Sequence, residues 1–448
     1  MSALRRFQLQ IAIDGPAGSG KSSVAKKLAA RLGRPHIDTG AMYRAVTLCA
    51  LRENISLDDA AALAARLHAA RLEFRDSRLH LDGEDVSSLI RRVDVTAAVS
   101  TVAAHAKLRE LMASLQRRLA SASQEGCVLE GRDIGSAILP LSANKFYLDA
   151  APIERARRRA LQMGQRLSGG ELERLEREIR GRDEDDTRRA ASPLQIAPDA
   201  HVIDTTHLSE DEVVERCAAS CSSGALEPVD DADLVACGYH NQLYRLARTM
   251  IMSPFYRGLL GMRVFGREHE RIGGGLIYAC NHISNFDPTA VGSAVGRELH
   301  FLAKRELFFW PLGPVIRRVN AIPIDRGRWD GEAFDRAEAV LRQGRNLIIF
   351  PEGTRRPVGR PGPIKKGLGI LAVRSERPYL PVLLRGTTQL GRALFRRGHL
   401  QAWIGPPIEL RAIEALRRTS SEAAIHAKIG ELYLNQLRAL EELAREES

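Results

Sequence analysis

Aromatic residues are scarce in this 448-residue sequence, at 5% of the total. A platform for stacking nucleic-acid bases needs more of them, so nucleic acid is not the expected partner even though the formal net charge is +11. Long apolar runs are missing too. No run of about 18 apolar residues occurs, which argues against a membrane-spanning helix, and the opening MSALRRFQLQ lacks the apolar core of a signal peptide. The expected location is the cytoplasm. Cysteine is sparse as well: Cys49, Cys127, Cys217, Cys221, Cys237 and Cys280 include no double pair with metal-ligand spacing. All six are expected to be reduced thiols, mostly in cores.

What is present is ordinary globular composition, 44% apolar and 27% charged, at a length that calls for two or three domains. Ser222 to Gly238 (SSGALEPVDDADLVACG) reads as a solvated connection. Charge divides there. Residues 1 to 238 hold 33 Lys and Arg against 35 Asp and Glu, whereas residues 239 to 448 hold 33 against 20. Expected domains are 1–223 and 239–448 with 224–238 as linker, and the basic second half points to an anionic lipid surface.

In the first half, a strand predicted over Phe7 to Asp14 runs into Gly15-Pro16-Ala17-Gly18-Ser19-Gly20-Lys21-Ser22-Ser23, and helical apolar spacing follows from Val24. Glycines let backbone amides turn toward a phosphate, and the helix N-terminus favours negative charge. These nine residues are the candidate ATP-binding set. Lys21 would reach the β and γ phosphates, and Ser22 would ligate Mg²⁺.

Further on come Asp38-Thr39-Gly40-Ala41-Met42-Tyr43-Arg44 after a short strand, an alternating segment Leu72 to Val86 about Asp82-Gly83, Glu130-Gly131-Arg132-Asp133-Ile134-Gly135, and Arg182-Asp183-Glu184-Asp185-Asp186-Thr187-Arg188-Arg189. Over nearly all of residues 7 to 221 the sequence resembles bacterial cytidylate kinases, in which a small β insert accompanies the nucleoside-monophosphate region. The resemblance implies that Thr39, Arg44, Arg109, Arg132, Asp133, Arg182, Asp186 and Arg189 hold CMP or dCMP. It also implies that Arg158, on the basic helix expected over Ile153 to Arg166, closes over the phosphates as part of a lid, with Arg155 or Arg159 as further candidates. The chemistry agrees: phosphoryl transfer asks for fixed positive charge, and Asp can accept from the amine of cytosine.

In the second half, Tyr239 to Phe265 mixes apolar residues with Arg and is expected to form two amphipathic helices broken at Ser253-Pro254. They could pack as a core pair or lie on a bilayer. A strand over Leu276 to Cys280 delivers Asn281-His282-Ile283-Ser284-Asn285-Phe286-Asp287, where a carboxylate can fix one ring nitrogen and leave the other to take a proton. Lys304-Arg305-Glu306-Leu307, Ile322-Pro323-Ile324-Asp325-Arg326, Phe350-Pro351-Glu352-Gly353-Thr354-Arg355 and Tyr379 to Val382 follow. Together these blocks, over about residues 240 to 410, resemble the 1-acylglycerol-3-phosphate acyltransferases of the glycerolipid acyltransferase family.

That second resemblance implies acyl transfer from acyl-CoA or acyl carrier protein to the 2-hydroxyl of lysophosphatidic acid. His282 would be the base and Asp287 its partner. Lys304, Arg326, Glu352, Gly353, Thr354 and Arg355 would receive the acceptor phosphate, with Lys365 and Lys366 either adding to them or forming a solvated turn. Residues 411 to 447 read as a charged amphipathic helix without assigned chemistry.

The expected fold class is α/β throughout. A P-loop kinase domain, with a parallel sheet flanked by helices and a small β insert, precedes an α/β acyltransferase domain that begins with the amphipathic helix pair. The expected enzyme makes CDP and phosphatidic acid on the inner face of the cell membrane, linking pyrimidine nucleotides to phospholipid synthesis. Three rivals remain: a non-catalytic membrane-binding second half, an acyltransferase acting on another lysolipid, or a kinase whose acceptor is UMP or another small metabolite.

Overall fold

A computed structural model of the chain describes residues 4, 7, 9–75, 77–164, 168–189, 193–221, 241–325, 329–357 and 362–447. It falls into two compact units, one chiefly Arg5–Gly224 and one chiefly Ala225–Ser448. The expected linker at 224–238, Cys237 and Arg326 lie outside the described residues. Cys49, Cys127, Cys217, Cys221 and Cys280 are free thiols, and only Cys221 is not fully buried. No helix among the described residues is long and apolar enough to cross a membrane.

The first unit is built on strands β1 (Ile11–Asp14), β2 (His36–Asp38), a three-stranded insert β3 (Leu72–Arg75), β4 (Arg78–Leu81) and β5 (Glu84–Asp85), then β6 (Val128–Gly131), β7 (Asn144–Asp149) and β8 (His201–Asp204). The main sheet has the order β2-β6-β1-β7-β8 and every pair is parallel. β1 begins at Ile11, not Phe7, because both neighbours start their pairing there, Ile11 opposite Val128 and opposite Asn144. Without a partner strand further upstream, no ladder can form.

Alternation along β1 sorts the core into two layers. Ile11 and Ile13 pack with Val24, Leu28, Val213 and Cys217. Ala12 faces the opposite way, toward Met42, Leu108 and Met112. In the insert, Asp82 and Gly83 both take positive φ, 52° and 92°, between the paired residues Leu81 and Glu84. That is the two-residue hairpin turn this dipeptide favours.

The second unit contributes β9 (Arg263–Phe265), β10 (Ile277–Cys280), β11 (Leu299–Lys304), β12 (Ala321–Ile324), β13 (Asn346–Ile349), β14 (Tyr379–Arg385) and β15 (Gln401–Ile404). Its sheet runs β12-β11-β13-β10-β14-β15-β9. The first five are parallel, and β14 pairs antiparallel with β15. The C-terminal ends of β10, β11 and β13 therefore open on one edge, which is where such sheets place ligand-binding loops.

The predicted helix pair is instead one continuous helical run. Gln242–Ala247 is α-helical, and wide π turns follow over Arg248–Met252 and Pro254–Leu259, with Ser253 still helical at φ −67° and ψ −44°. Proline clashes with the carbonyl four residues back in an α-helix, and widening the turn removes that clash, so the chain passes Pro254 without stopping. Tyr244, Arg248 and Tyr256 point into the unit, while Leu246, Met250, Ile251 and Leu259 are exposed. At the other end of the chain, the expected single helix is two, Ile413–Thr419 and Glu422–Glu446, separated where Ser421 caps the second through the Ala424 amide. The longer one is a core element: Ile425, Ile429, Tyr433 and Leu440 are buried.

Candidate functional sites

The first site forms where β1, β2 and β6 end. Gly20, at φ 87°, precedes the helix Lys21–Leu32, whose first turn carries no acidic residue and no capping side chain. Its leading amides are thus available to an anion. Gly18 has φ 76°, and a Cβ there would stand 2.8 Å from the Arg155 carbonyl oxygen, so only glycine fits.

Lys21 donates to the Pro16 carbonyl at 3.1 Å, and burial, then Arg132, bring its ammonium down to about 7. Ser22 donates to the Glu130 carboxylate, whose other oxygen is 3.0 Å from His36 Nε2. Burial pushes the Glu130 carboxyl up, but His36, Lys21 and Ser22 outweigh it and hold it below the usual range. Asp14 accepts from the amides of Ile134 and Gly135, both at 2.8 Å.

Beside Lys21 opens a cavity of about 140 Å³. All eight residues expected to hold the monophosphate line it: Thr39, Arg44, Arg109, Arg132, Asp133, Arg182, Asp186 and Arg189. Three of the five arginines are held by the two expected carboxylates. Arg109 donates to Asp133 at 2.9 Å, Arg132 to Asp186 at 2.8 Å, and Arg189 pairs with the other oxygen of Asp186. Arg182 is pulled below the usual guanidinium value by desolvation and by Arg132, Arg44 and Arg159 around it. So much crowded positive charge favours an anionic occupant.

Arg158, on the helix Pro152–Gln162, donates to the hydroxyl and the carbonyl of Thr205 at 2.9 and 2.6 Å, and a Cβ on Gly20 would lie 3.7 Å from it. Arg155, its neighbour one turn earlier, is buried and pairs with Asp183 of the helix Gly169–Arg188.

The second site lies past the end of β10. His282 Nδ1 donates to Asp287 Oδ2 at 2.8 Å, and the same oxygen accepts the amides of Ile283 and Ser284 at 2.7 Å each. Asp287 is fully buried and His282 nearly so. This fixes the tautomer and turns Nε2 toward any acceptor. The imidazole stacks on Phe350, ring centroids 4.3 Å apart.

Glu352 is buried and works on the backbone: it accepts the amide of His282 at 3.3 Å and that of Gly362 at 3.0 Å. Gly353, at φ 67°, passes close to the Lys365 side chain. Lys304, Thr354 and Arg355 are exposed near the ends of β11 and β13. A cavity of about 350 Å³ adjoins Phe350, lined by Leu302, Phe334, Ile348 and Leu371, with Gly353, Lys365 and Lys366 at its polar side. Lys366 lies over the Trp329 ring, 5.0 Å from its centre.

The family model described as cytidylate kinase matches residues 11–223, and the one described as acyltransferase matches residues 261–385. The cytidylate kinase of Caldanaerobacter subterraneus is 47% identical over 208 residues, which is 46% of this chain and 92% of that protein. That of Symbiobacterium thermophilum is 47% identical over 219 residues, 48% of this chain and 96% of that protein. The chain belongs to the cytidylate kinase family through its N-terminal half. Joined to that kinase domain is an acyltransferase domain. Among solved structures, the 1-acyl-sn-glycerophosphate (LPA) acyltransferase PlsC from Thermotoga maritima is 26% identical, covering 53% of this chain and 84% of its own, at a TM-score of 0.34.

Several residues around the kinase site escaped sequence reasoning. Glu130 carries no signal of its own in the sequence, yet it lies near the end of β6 beside β1 and meets the serine after the loop lysine, 108 positions away. The available signal was a carboxylate at a strand end next to the phosphate-loop strand. His36, Asp14 and Asp183 had no local signal at all.

The kinase family implies Mg²⁺ with ATP, and the donors present fit it. Ser22 and Glu130 bring a hydroxyl and a carboxylate together under the phosphate loop, while no group of three or more His, Cys, Asp or Glu side chains among the described residues could hold a metal alone. Mg²⁺ takes few protein ligands and fills its shell with phosphate oxygens and water, so this sparse set is the appropriate one.

Proposed function

We propose that the kinase domain of this protein phosphorylates CMP and dCMP with ATP, and that the acyltransferase domain acylates 1-acylglycerol 3-phosphate at its 2-hydroxyl, taking the acyl group from acyl-CoA or acyl carrier protein. The observation that carries the second half is the buried His282–Asp287 pair at 2.8 Å beside an apolar cavity. His282 Nε2 removes the proton as the 2-hydroxyl oxygen attacks the thioester carbonyl. The C–S bond then breaks and the leaving thiolate takes that proton back. The cavity beyond Phe350 is within the usual size range for small ligands and suits an acyl chain. Arg355, Lys304 and Arg326 meet the acceptor phosphate, and Glu352 orders the turn that carries Arg355.

In the kinase domain, the loop from Gly15 to Ser23 and Lys21 hold the triphosphate, and the eight cavity residues hold the monophosphate. Arg158 reaches the transferred group when both nucleotides are bound. Mg²⁺ bound at Ser22 and Glu130 would neutralise part of the phosphate charge. Asp133 and Asp186 favour a base that donates from an amine.

The exposed apolar face of the helical run 242–259, with the basic charge of residues 239–448, supports peripheral attachment to an anionic bilayer facing the cytoplasm. The division into 1–223, 224–238 and 239–448 goes with this reading, since neither set of site residues draws on the other half.

The test is one preparation of the full chain assayed for both reactions, with His282→Ala alongside. His282→Ala should lose acyl transfer by about 10²- to 10⁴-fold and keep CMP phosphorylation. Acyl transfer at the wild-type rate in His282→Ala would overturn the mechanism. AMP as the best phosphoryl acceptor would overturn the substrate.

A further inference from the structure

The NHxSxxD block accounts for one oxygen of Asp287. Its Oδ2 is satisfied within the block by His282 Nδ1 and by the amides of Ile283 and Ser284. Oδ1 lies equally far from solvent, and a buried carboxylate oxygen without a donor is costly. The donor comes from 100 positions downstream: Thr387 Oγ1 stands 2.6 Å from Oδ1 and is itself buried.

The fold delivers that hydroxyl. β14 lies parallel to β10 with Cys280 opposite Val382, so the two chains leave the sheet side by side. Gly386 then turns the chain at φ 85°, a position where a Cβ would come within 2.4 Å of the His399 carbonyl oxygen. Thr387 follows at once, its side chain facing Asp287.

We infer that Thr387 is a positioning residue for acyl transfer: its hydroxyl fixes the Asp287 carboxylate in the orientation that holds His282. This rests on His282 being the base. The four donors surround the carboxylate, three on one oxygen and Thr387 alone on the other, so removing Thr387 frees the group to rotate away from the imidazole. The acceptor phosphate is held by other residues, and substrate binding should be spared.

Thr387→Val keeps the shape and removes the donor. In the full-length protein, kcat for acyl transfer should fall by about 10- to 100-fold, as expected for a hydrogen bond to a charged group, with KM for lysophosphatidate changed less than about twofold. Thr387→Ser should recover most of kcat. On an Asp287→Ala background, Thr387→Val should cost nothing further, because the threonine acts through the aspartate. A wild-type kcat in Thr387→Val, equal losses in Thr387→Val and Thr387→Ser, or a full additional loss on the Asp287→Ala background would each overturn the inference. His282→Ala, measured in parallel, separates the two questions. If it is active the base is misassigned, whereas an inactive His282→Ala with a fully active Thr387→Val removes only the threonine.

Discussion

Asp183 accepts the backbone amide of Ala17 at 3.1 Å, which fastens the helix carrying Arg182 and Asp186 directly to the phosphate loop. Arg155 closes the link, pairing with Asp183 and donating to the Ala17 carbonyl at 3.2 Å. A second strut runs from Asp186 through Arg132 to the Gly15 carbonyl. The residues proposed to grip one nucleotide are thereby tied to the loop proposed to grip the other.

Asp183→Asn should therefore raise KM for ATP and for CMP together and lower kcat/KM by about tenfold, the worth of one charge-assisted contact. Steady-state kinetics with each nucleotide varied in turn checks this. A change confined to ATP would show that the helix does not link the two subsites.

Lys21→Ala should reduce phosphoryl transfer by at least about 10²-fold, since a fixed charge at the transferred group is lost, and should leave acyl transfer unchanged. Because burial and Arg132 bring the Lys21 ammonium down to about 7, a polyphosphate bound beside it raises its proton affinity. ATP binding at pH 8 should then take up a proton, seen as a binding heat that varies with the ionisation enthalpy of the buffer. The same heat in every buffer would mean that Lys21 is charged before ATP arrives.

Burial, with help from Asp133, lifts the Asp14 carboxyl from 3.8 to about 7, against the amides of Gly135 and Ile134 and the charge of Lys21. The folded kinase domain thus holds this proton more tightly than the unfolded chain does. Its contribution to stability is full below pH 3.8 and is lost as pH rises toward about 7. Asp14→Asn should flatten this pH dependence in the thermal transition that bound nucleotide shifts. An unchanged slope in that variant would assign the dependence to another group.

Leu246 is 54% exposed, Met250 69%, Ile251 67% and Leu259 60%, all on the helical run of the acyltransferase domain. Full-length protein should sediment with phosphatidylglycerol vesicles, and less so at high salt, because each Lys or Arg near the surface contributes roughly 1 kcal/mol that salt screens. Met250→Glu with Ile251→Glu should weaken binding by about tenfold or more at any salt concentration. Binding equal to wild type in that double variant would place the membrane contact elsewhere.

Features that depend on neighbours in the chain could be read directly from the amino-acid order. The glycine loop with Lys21 and Ser22, the Asp82-Gly83 turn and the His282/Asp287 pair each lie within one turn or loop, so residue type and spacing suffice to define them. The arginines and aspartates around the cavity beside Lys21 follow from resemblance and not from spacing, because they come from four separate segments.

The sequence by itself determined two chemistries, one on either side of residues 222–238, and the local motif that begins each. Only the tertiary structure decided which distant groups complete them: Glu130 on Ser22 across 108 positions, Asp183 on Ala17 across 166, and Thr387 on Asp287 across 100. It also decided that Pro254 would not end a helix, since widened turns packed through Tyr244 and Tyr256 against the sheet remove the clash that proline would cause. The reason is common to all four. A buried carboxylate or a strained turn is settled by whatever the parallel strands bring beside it, and strand order is set by packing of whole elements, which no local run of residues encodes.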